Sequence, residues 1–322
     1  MVVPEVMVMN QRYDVVVIGG GAAGLNGALM LARSRRSVLV IDAGEPRNAP
    51  AGGVHGLLGS EGMPPSALLA VGRDEVRSYG GQVEVGTVDR VSGPAGAFLV
   101  SLTDGRAIGT RRLLVTTGLV DDLPKVPGLR ARWGRDVLHC PYCHGWEVRD
   151  QAIGVLAGNP RSVHQALLFR QLSDDVVYFA NGLPISADDR LALTARDISV
   201  VDGVVDGVET THDRLSAVRL AGGTTVPRQA LAVSTRMVAR ADFLSGIGLR
   251  AVEHPSGAGA HVPVDALGRT EVPGVWAAGN VSDPFAQVGA AAAAGAFAAA
   301  QINADLVTEE TGMAVQALRA SA

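Results

Sequence analysis

The apolar positions fall into short runs separated by glycine-rich turns and by stretches of helical period. Residues 1–12 read as a loose tail. Tyr13-Asp14-Val15-Val16-Val17-Ile18 is then the first β-type run, followed by Gly19-Gly20-Gly21-Ala22-Ala23-Gly24 and a helical stretch from Leu25 to about Arg35. A second run, Ser37-Val38-Leu39-Val40-Ile41, ends in Asp42. Shorter β-type runs follow at 82–88, 98–102 and 111–115, with Gly, Pro and Asp turns between them. Leu123-Pro124-Lys125-Val126-Pro127-Gly128 has linker composition and marks a domain boundary. Beyond it the rhythm repeats: a strand at 152–156, a loop at 157–162, a helix at 163–172 and a strand at 175–179. After a further strand at 229–233, a Gly/Pro-rich stretch leads to Val272-Pro273-Gly274-Val275-Trp276-Ala277-Ala278-Gly279-Asn280 and an alanine-rich helix. The pattern is α/β, with two dinucleotide-binding-type units.

The length of 322 residues allows two domains. Forty glycines, with many Ala and Val, suggest tight turns and helices packed closely on a sheet. A net charge of −4 with scattered Lys and Arg excludes a nucleic-acid reading. Residues 284–304 carry no charge, which raises a membrane span, but Pro284, Gln287, Gln301, Asn303 and the many alanines point to a buried helix of a soluble protein. No stretch near the start has the order of a signal peptide, so a cytoplasmic protein is expected.

The first repeat is strand, G-x-G-x-x-G, helix, strand and acid, with Asp42 lying 23 positions after Gly19. That is the context in which the glycine motif becomes a nucleotide cradle. Gly19 makes the tight turn, Gly21 lets the backbone approach a pyrophosphate, and Gly24 lets the helix lie close on the strand. Asp42 would accept from ribose hydroxyls. In the second repeat the phosphate loop is spoiled. Ala157 and Asn159 stand where glycines are wanted, and Pro160 removes an amide donor. Ala180-Asn181-Gly182-Leu183-Pro184 offers no Arg or Lys to a 2′-phosphate.

The only two cysteines lie in His139-Cys140-Pro141-Tyr142-Cys143-His144-Gly145. A pair this close opens and closes a disulfide without moving the backbone, and in a cytosolic chain such a pair is catalytic more often than structural. A c-type haem site would need export and a distal ligand. A zinc site would need four ligands from six residues, whereas structural zinc uses separated pairs. A glutaredoxin-like reading leans on Thr225-Val226-Pro227, too distant in a chain that fits no thioredoxin domain.

Together these motifs resemble the low-molecular-weight thioredoxin reductase family of flavoproteins over almost the whole chain: Gly19-x-Gly21-x-x-Gly24, Thr116-Thr117-Gly118, Cys140-x-x-Cys143 and Val275-Trp276-Ala277-Ala278-Gly279-Asn280 occur in its order. The resemblance implies a discontinuous FAD domain, 13–120 with 241–312, and an inserted NADPH-type domain, 121–240, that carries the dithiol. It implies that Gly19, Gly21, Ala23 and Gly24 surround the FAD pyrophosphate, with Asp42 and Ala43 at the adenosine ribose and Val88 at the adenine. Thr117, Gly118, Gly279 and Asn280 would lie along the rest of the cofactor, with Gln287 and Val288 at a helix start facing the flavin. Arg47, Asn48 and His55 lie in a loop that approaches the flavin in relatives. Asn280 stands where the family has Asp, and His144 where it has an acid.

With the spoiled second loop, the Cys-Pro-Tyr-Cys-His-Gly signature is similar to the dithiol-oxidase branch, typified by the gliotoxin and holomycin oxidases. This resemblance implies a small-molecule dithiol as substrate, O2 as acceptor and no NADPH. Cys140 would exchange with substrate, Cys143 would face the flavin, and His144 (with His139 as second candidate) would be the base. A homodimer is a family expectation, and no metal is implied. The competing readings are an NAD(P)H-dependent thioredoxin or disulfide reductase and a non-catalytic flavin-binding sensor.

Overall fold

A computed structural model describes residues 7–159 and 161–321. The expectation resting on Pro160 lies outside the described residues.

The first sheet has seven strands. Six run in the order Gln82–Val85, Val38–Asp42, Met7–Ile18, Arg106–Val115, Phe98–Leu102 and Val88–Ser92, and Val275–Ala277 pairs with Arg106–Val115. The central strands are parallel, with Ile18 opposite both Ile41 and Val115. The 98–102 and 88–92 strands add an antiparallel meander. Val15 and Val17 are buried on one face against the helices, while Val16 and Ile18 are buried on the other among Phe98, Ile108 and Leu244. Burial on both faces is why this strand reads as an unbroken apolar run.

The tail reading needs correction. Residues 7–12 belong to the first strand, where Met7 and Val8 pair with Arg106 and Ala107 before a register shift. The β-type composition of Met7-Val8-Met9 already favoured this, and the polar Asn10-Gln11-Arg12 masked it. The first helix also starts earlier than expected and spans Ala22–Arg33.

That helix and the C-terminal helix, Val288–Ser321, cover one face of the sheet. They approach closely because small residues meet. A Cβ on Gly295 would overlap the Ala23 carbonyl, and one on Gly27 would come 2.6 Å from a Leu114 methyl and 3.0 Å from the Gly295 oxygen. By length and composition Val288–Ala320 is long and apolar enough to cross a membrane. Here Ala291, Gly295, Ala298, Ala299, Ile302 and Leu306 form its buried face, and most of the remaining helix is not buried.

Residues 137–233 form a second, parallel sheet in the order Ser199–Val201, Val176–Phe179, Ile153–Leu156, Ala230–Val233 and Val137–Leu138, plus a three-stranded antiparallel sheet. The chain crosses to and from it through Leu119–Asp122 and Arg236–Ala239. These two strands pair antiparallel with each other in a small sheet. The dithiol segment follows strand Val137–Leu138, at the edge facing the first sheet's carboxyl ends.

Candidate functional site

A cavity of about 1080 Å³ runs from the glycine turn to the dithiol. Gly19, Gly21, Ala23, Asp42, Ala43, Arg47, Asn48, His55, Val88, Thr117, Gly118, Gly279, Asn280, Gln287 and Val288 all line it, together with His139, Cys140, Cys143 and His144. Of the candidate catalytic and cofactor-binding residues, only Gly24 does not line it.

The cradle is built from backbone that requires glycine. Gly19 has φ +107°, and a Cβ there would lie 2.5 Å from the Thr116 carbonyl oxygen. Gly24 would place a Cβ against the Gly19 carbonyl, so it sets how closely the first helix approaches its strand. Gly21 has nothing within 4 Å of its missing Cβ and stands at the helix N-cap, open to the cavity. An anion there meets the free amides of the first helical turn. Two contributors were given no role in the sequence reading. Gly20 packs under Asp42, whose carboxylate would be 2.6 Å from a Cβ. The buried Thr116 hydroxyl lies 3.0 Å from the Ile18 oxygen and 2.8 Å from that of Gly19, pinning the turn. Open glycine backbone, a helix N-terminus and a carboxylate at the next strand's end together fit FAD.

Asn280 does something else as well. Its amide nitrogen donates to the carbonyls of Asp283 (3.1 Å), Pro284 (3.4 Å) and Ala286 (2.9 Å), shaping the turn before the C-terminal helix. Its carboxamide oxygen is the atom left for a cofactor hydroxyl.

The two cysteines are not joined here, and the Cys143 thiol donates to the Cys140 sulphur at 2.7 Å. Cys140 caps the short helix Pro141–His144. Pro141 suits the first helical position because no amide is needed there. The hydrogen bond from Cys143, helped by the Cys143 and Tyr142 amides, brings Cys140 down to about 7 against the effect of burial. The same hydrogen bond, together with burial, drives Cys143 well above the usual thiol range. The pair therefore ionises once near neutrality and holds its second proton.

Both flanking histidines are held below the ordinary histidine range by burial. His139 has its Nδ1 3.1 Å from the Val233 carbonyl, which opposes that shift. For His144 the nearby Glu147 carboxylate opposes burial and His55 reinforces it. Neutral imidazoles are proton acceptors.

The loop residues Arg47 and His55 make contacts to distant segments that the sequence did not reveal. Arg47 forms a two-pronged ion pair with the buried Asp121 (2.6 and 2.7 Å), and Thr235 donates to the same carboxylate at 2.7 Å. His55 lies between Glu61 and Glu147, at 2.6 and 3.4 Å.

The second nucleotide loop is self-satisfied. The Ser162 hydroxyl oxygen accepts from the Gly158 and Asn159 amides (3.1 and 3.3 Å), and the Asn159 side chain accepts from the Arg161 amide at 2.9 Å. The Arg161 guanidinium stacks 4.0 Å over the Phe285 ring. Asn181 turns inward, accepting from the Val205 amide at 3.0 Å.

Comparison with known proteins agrees with this geometry. The profile of the pyridine nucleotide-disulphide oxidoreductase family matches residues 13–299. The crystal structure of HlmI is 47% identical with a TM-score of 0.91, covering 99% of this chain and 100% of that one. Thioredoxin reductase tcpT of Claviceps purpurea is 29% identical over 91% of this chain and 95% of its own. A probable thioredoxin reductase of Arthroderma benhamiae is 33% identical over 58% of this chain, a match that spans 48% of that protein. The resemblance to thioredoxin reductases read from the four motifs therefore holds, and with it FAD as cofactor. The chain belongs to the pyridine nucleotide-disulphide oxidoreductase family, as one of its FAD-binding, thioredoxin-reductase-like flavoenzymes.

Proposed function

We propose that the protein oxidises a small-molecule dithiol to its intramolecular disulfide, with O2 as the acceptor and H2O2 as the by-product. One contrast carries this reading. The first cradle is open and unfilled by side chains, whereas the amides of the second loop already have acceptors within the loop. These internal hydrogen bonds support a second loop that does not seat a nicotinamide nucleotide, in which case the electrons come from the thiol substrate.

In the oxidised enzyme a substrate thiolate attacks the Cys140 sulphur. The Cys140–Cys143 bond breaks, and Cys143 leaves with the electron pair. The second substrate thiolate then attacks the substrate sulphur of the mixed disulfide, closing the product ring and expelling Cys140. A low-pKa thiol is the faster leaving group, so the reduced pKa of Cys140, about 7, suits it to being expelled when the product ring closes. His144 takes the substrate proton, with His139 as the second candidate. FAD, when bound, would supply the two-electron acceptor that lets the cysteine pair re-form its disulfide, and O2 would take up those electrons with two protons to give H2O2. Gly19, Gly21 and Ala23 would hold its pyrophosphate, Asp42 and Ala43 the ribose, Val88 the adenine, and Thr117, Gly118, Gly279, Asn280, Gln287 and Val288 the remainder.

The division into 13–120 with 241–312 and an inserted 121–240 belongs to the same proposal, as do a cytoplasmic location and a homodimer. Phe297, Met313 and Leu318, exposed on the C-terminal helix, favour the dimer.

Incubation with dithiothreitol in air should consume O2 in proportion to the cyclic disulfide formed, without nucleotide, and Cys140→Ser should abolish it. Turnover that needs NADPH would instead favour the reductase reading suggested by the names of the relatives.

A further inference from the structure

Two protons leave the substrate in each turnover, and a part-buried histidine that has taken one must discharge it before taking the next. No hydrogen bond or ion pair joins the His144 ring to Glu147, but His144 opens onto a small cavity that Glu147 and His55 also line, and across it a path for this leads outward. A smaller cavity of about 250 Å³ adjoins the dithiol, and Gly52, Gly53, His55, Cys143, His144 and Glu147 line it. Glu147 follows His144 by three positions. The Glu147 carboxylate is 3.4 Å from His55 Nε2, and His55 Nδ1 is 2.6 Å from Glu61 Oε1. The other Glu61 oxygen accepts from the Gly56 amide at 2.9 Å, which fixes it in place. Side-chain exposure is 23% at His55 and 35% at Glu147 but 65% at Glu61, so the series ends in solvent.

We propose that Glu147, His55 and Glu61 form a relay that carries the proton accepted by His144 out to solvent. An imidazole with a carboxylate at each nitrogen can gain a proton on one side and lose it from the other. Other charged groups near the dithiol are engaged elsewhere: Arg47 with Asp121, Arg149 over the Trp146 ring at 4.1 Å, and His139 on the Val233 carbonyl. Glu147 and His55 do not touch the reacting sulphurs; they are positioning residues that act through His144. The relay rests on the reading of His144 as the thiol base in dithiol oxidation.

The test combines two readouts on the FAD-loaded protein. In histidine-labelled NMR titrations, Glu147→Gln should lower the His144 midpoint, because the carboxylate no longer favours the imidazolium, and His55→Gln should raise it. In anaerobic stopped-flow mixing with dithiothreitol, both variants should lose roughly tenfold or more in the rate of flavin bleaching at neutral pH. Added imidazole should restore much of that rate, which a purely structural defect would not allow. An unchanged His144 midpoint in Glu147→Gln, or wild-type bleaching rates in both variants, overturns the relay and leaves dithiol oxidation standing. A wild type that dithiothreitol does not bleach overturns the functional reading itself. If Glu147→Gln fails to bind FAD, His55→Gln carries the test alone.

Discussion

At Cys140 and Cys143, one hydrogen bond divides the labour of two chemically identical side chains. Cys143 donates, so Cys140 carries negative charge near neutrality and Cys143 keeps its proton. Alkylation of Cys140 by iodoacetamide should therefore show a midpoint near 7, as the lowered pKa requires. In Cys143→Ala the donor is lost, and the midpoint should move up toward the ordinary thiol range. An unchanged midpoint would assign the lowering to the helix amides instead. The glycine turn yields a second expectation at this scale. Gly24→Ala forces a methyl group onto the Gly19 carbonyl. It should cost about 1–3 kcal/mol of stability and release FAD, read as a lower melting temperature and lost flavin absorbance. These positions were legible in the sequence because backbone geometry alone demands glycine there. Gly20 was not, because its reason is the Asp42 side chain packed over it.

Among the elements, the loop that carries Arg47 is tied to crossing strand Leu119–Asp122 by the Arg47–Asp121 pair, and Thr235 adds the return crossing. Burial pushes the Asp121 carboxyl up, but Arg47 and Thr235 outweigh it and hold it below the usual carboxylate range. Asp121→Asn leaves Arg47 facing a neutral amide and should cost about 1–3 kcal/mol. The distal end of the C-terminal helix is held in a similar way: Glu310 meets Arg36 at 2.6 Å and Arg111 at 2.7 Å, and Glu309 and Asp305 meet Arg112. Arg36, with Arg111 second, depresses the Glu310 carboxyl from the ordinary carboxylate range to about 2. A depressed carboxyl stabilises the fold above its unfolded value and loses that contribution as pH falls through the folded one. Hydrogen-exchange protection factors near residues 305–310, corrected for the slower intrinsic exchange at low pH, should therefore fall as pH drops from about 4.5 towards 2, and Arg111→Ala should show the lower protection at neutral pH. None of this was legible in sequence. Arg47 and Asp121 are 74 positions apart and Arg36 and Glu310 are 274 apart, and a charged residue carries no local mark of a distant partner.

For the molecule as a whole, two βαβ units of the same pattern differ in how their nucleotide loops are filled. The first keeps an open nucleotide cradle. The second spends its loop amides on Ser162 and Asn159 and stacks Arg161 on Phe285, from the other unit. The strand order, the four motifs and the composition of the second loop could be read from the chain, because each follows from local chemistry. The filled state of that loop could not, since it depends on how Ser162 and Phe285 are placed in space. The measurement that tests the account most directly is an anaerobic titration of the FAD-loaded protein, followed by visible flavin absorbance, with NADPH in one arm and dithiothreitol in the other. Bleaching by the dithiol alone, with NADPH leaving the spectrum unchanged, is the predicted result. Stoichiometric bleaching by NADPH would show that the second loop still seats a nicotinamide nucleotide, and would reverse the direction of electron flow proposed for Cys140 and Cys143.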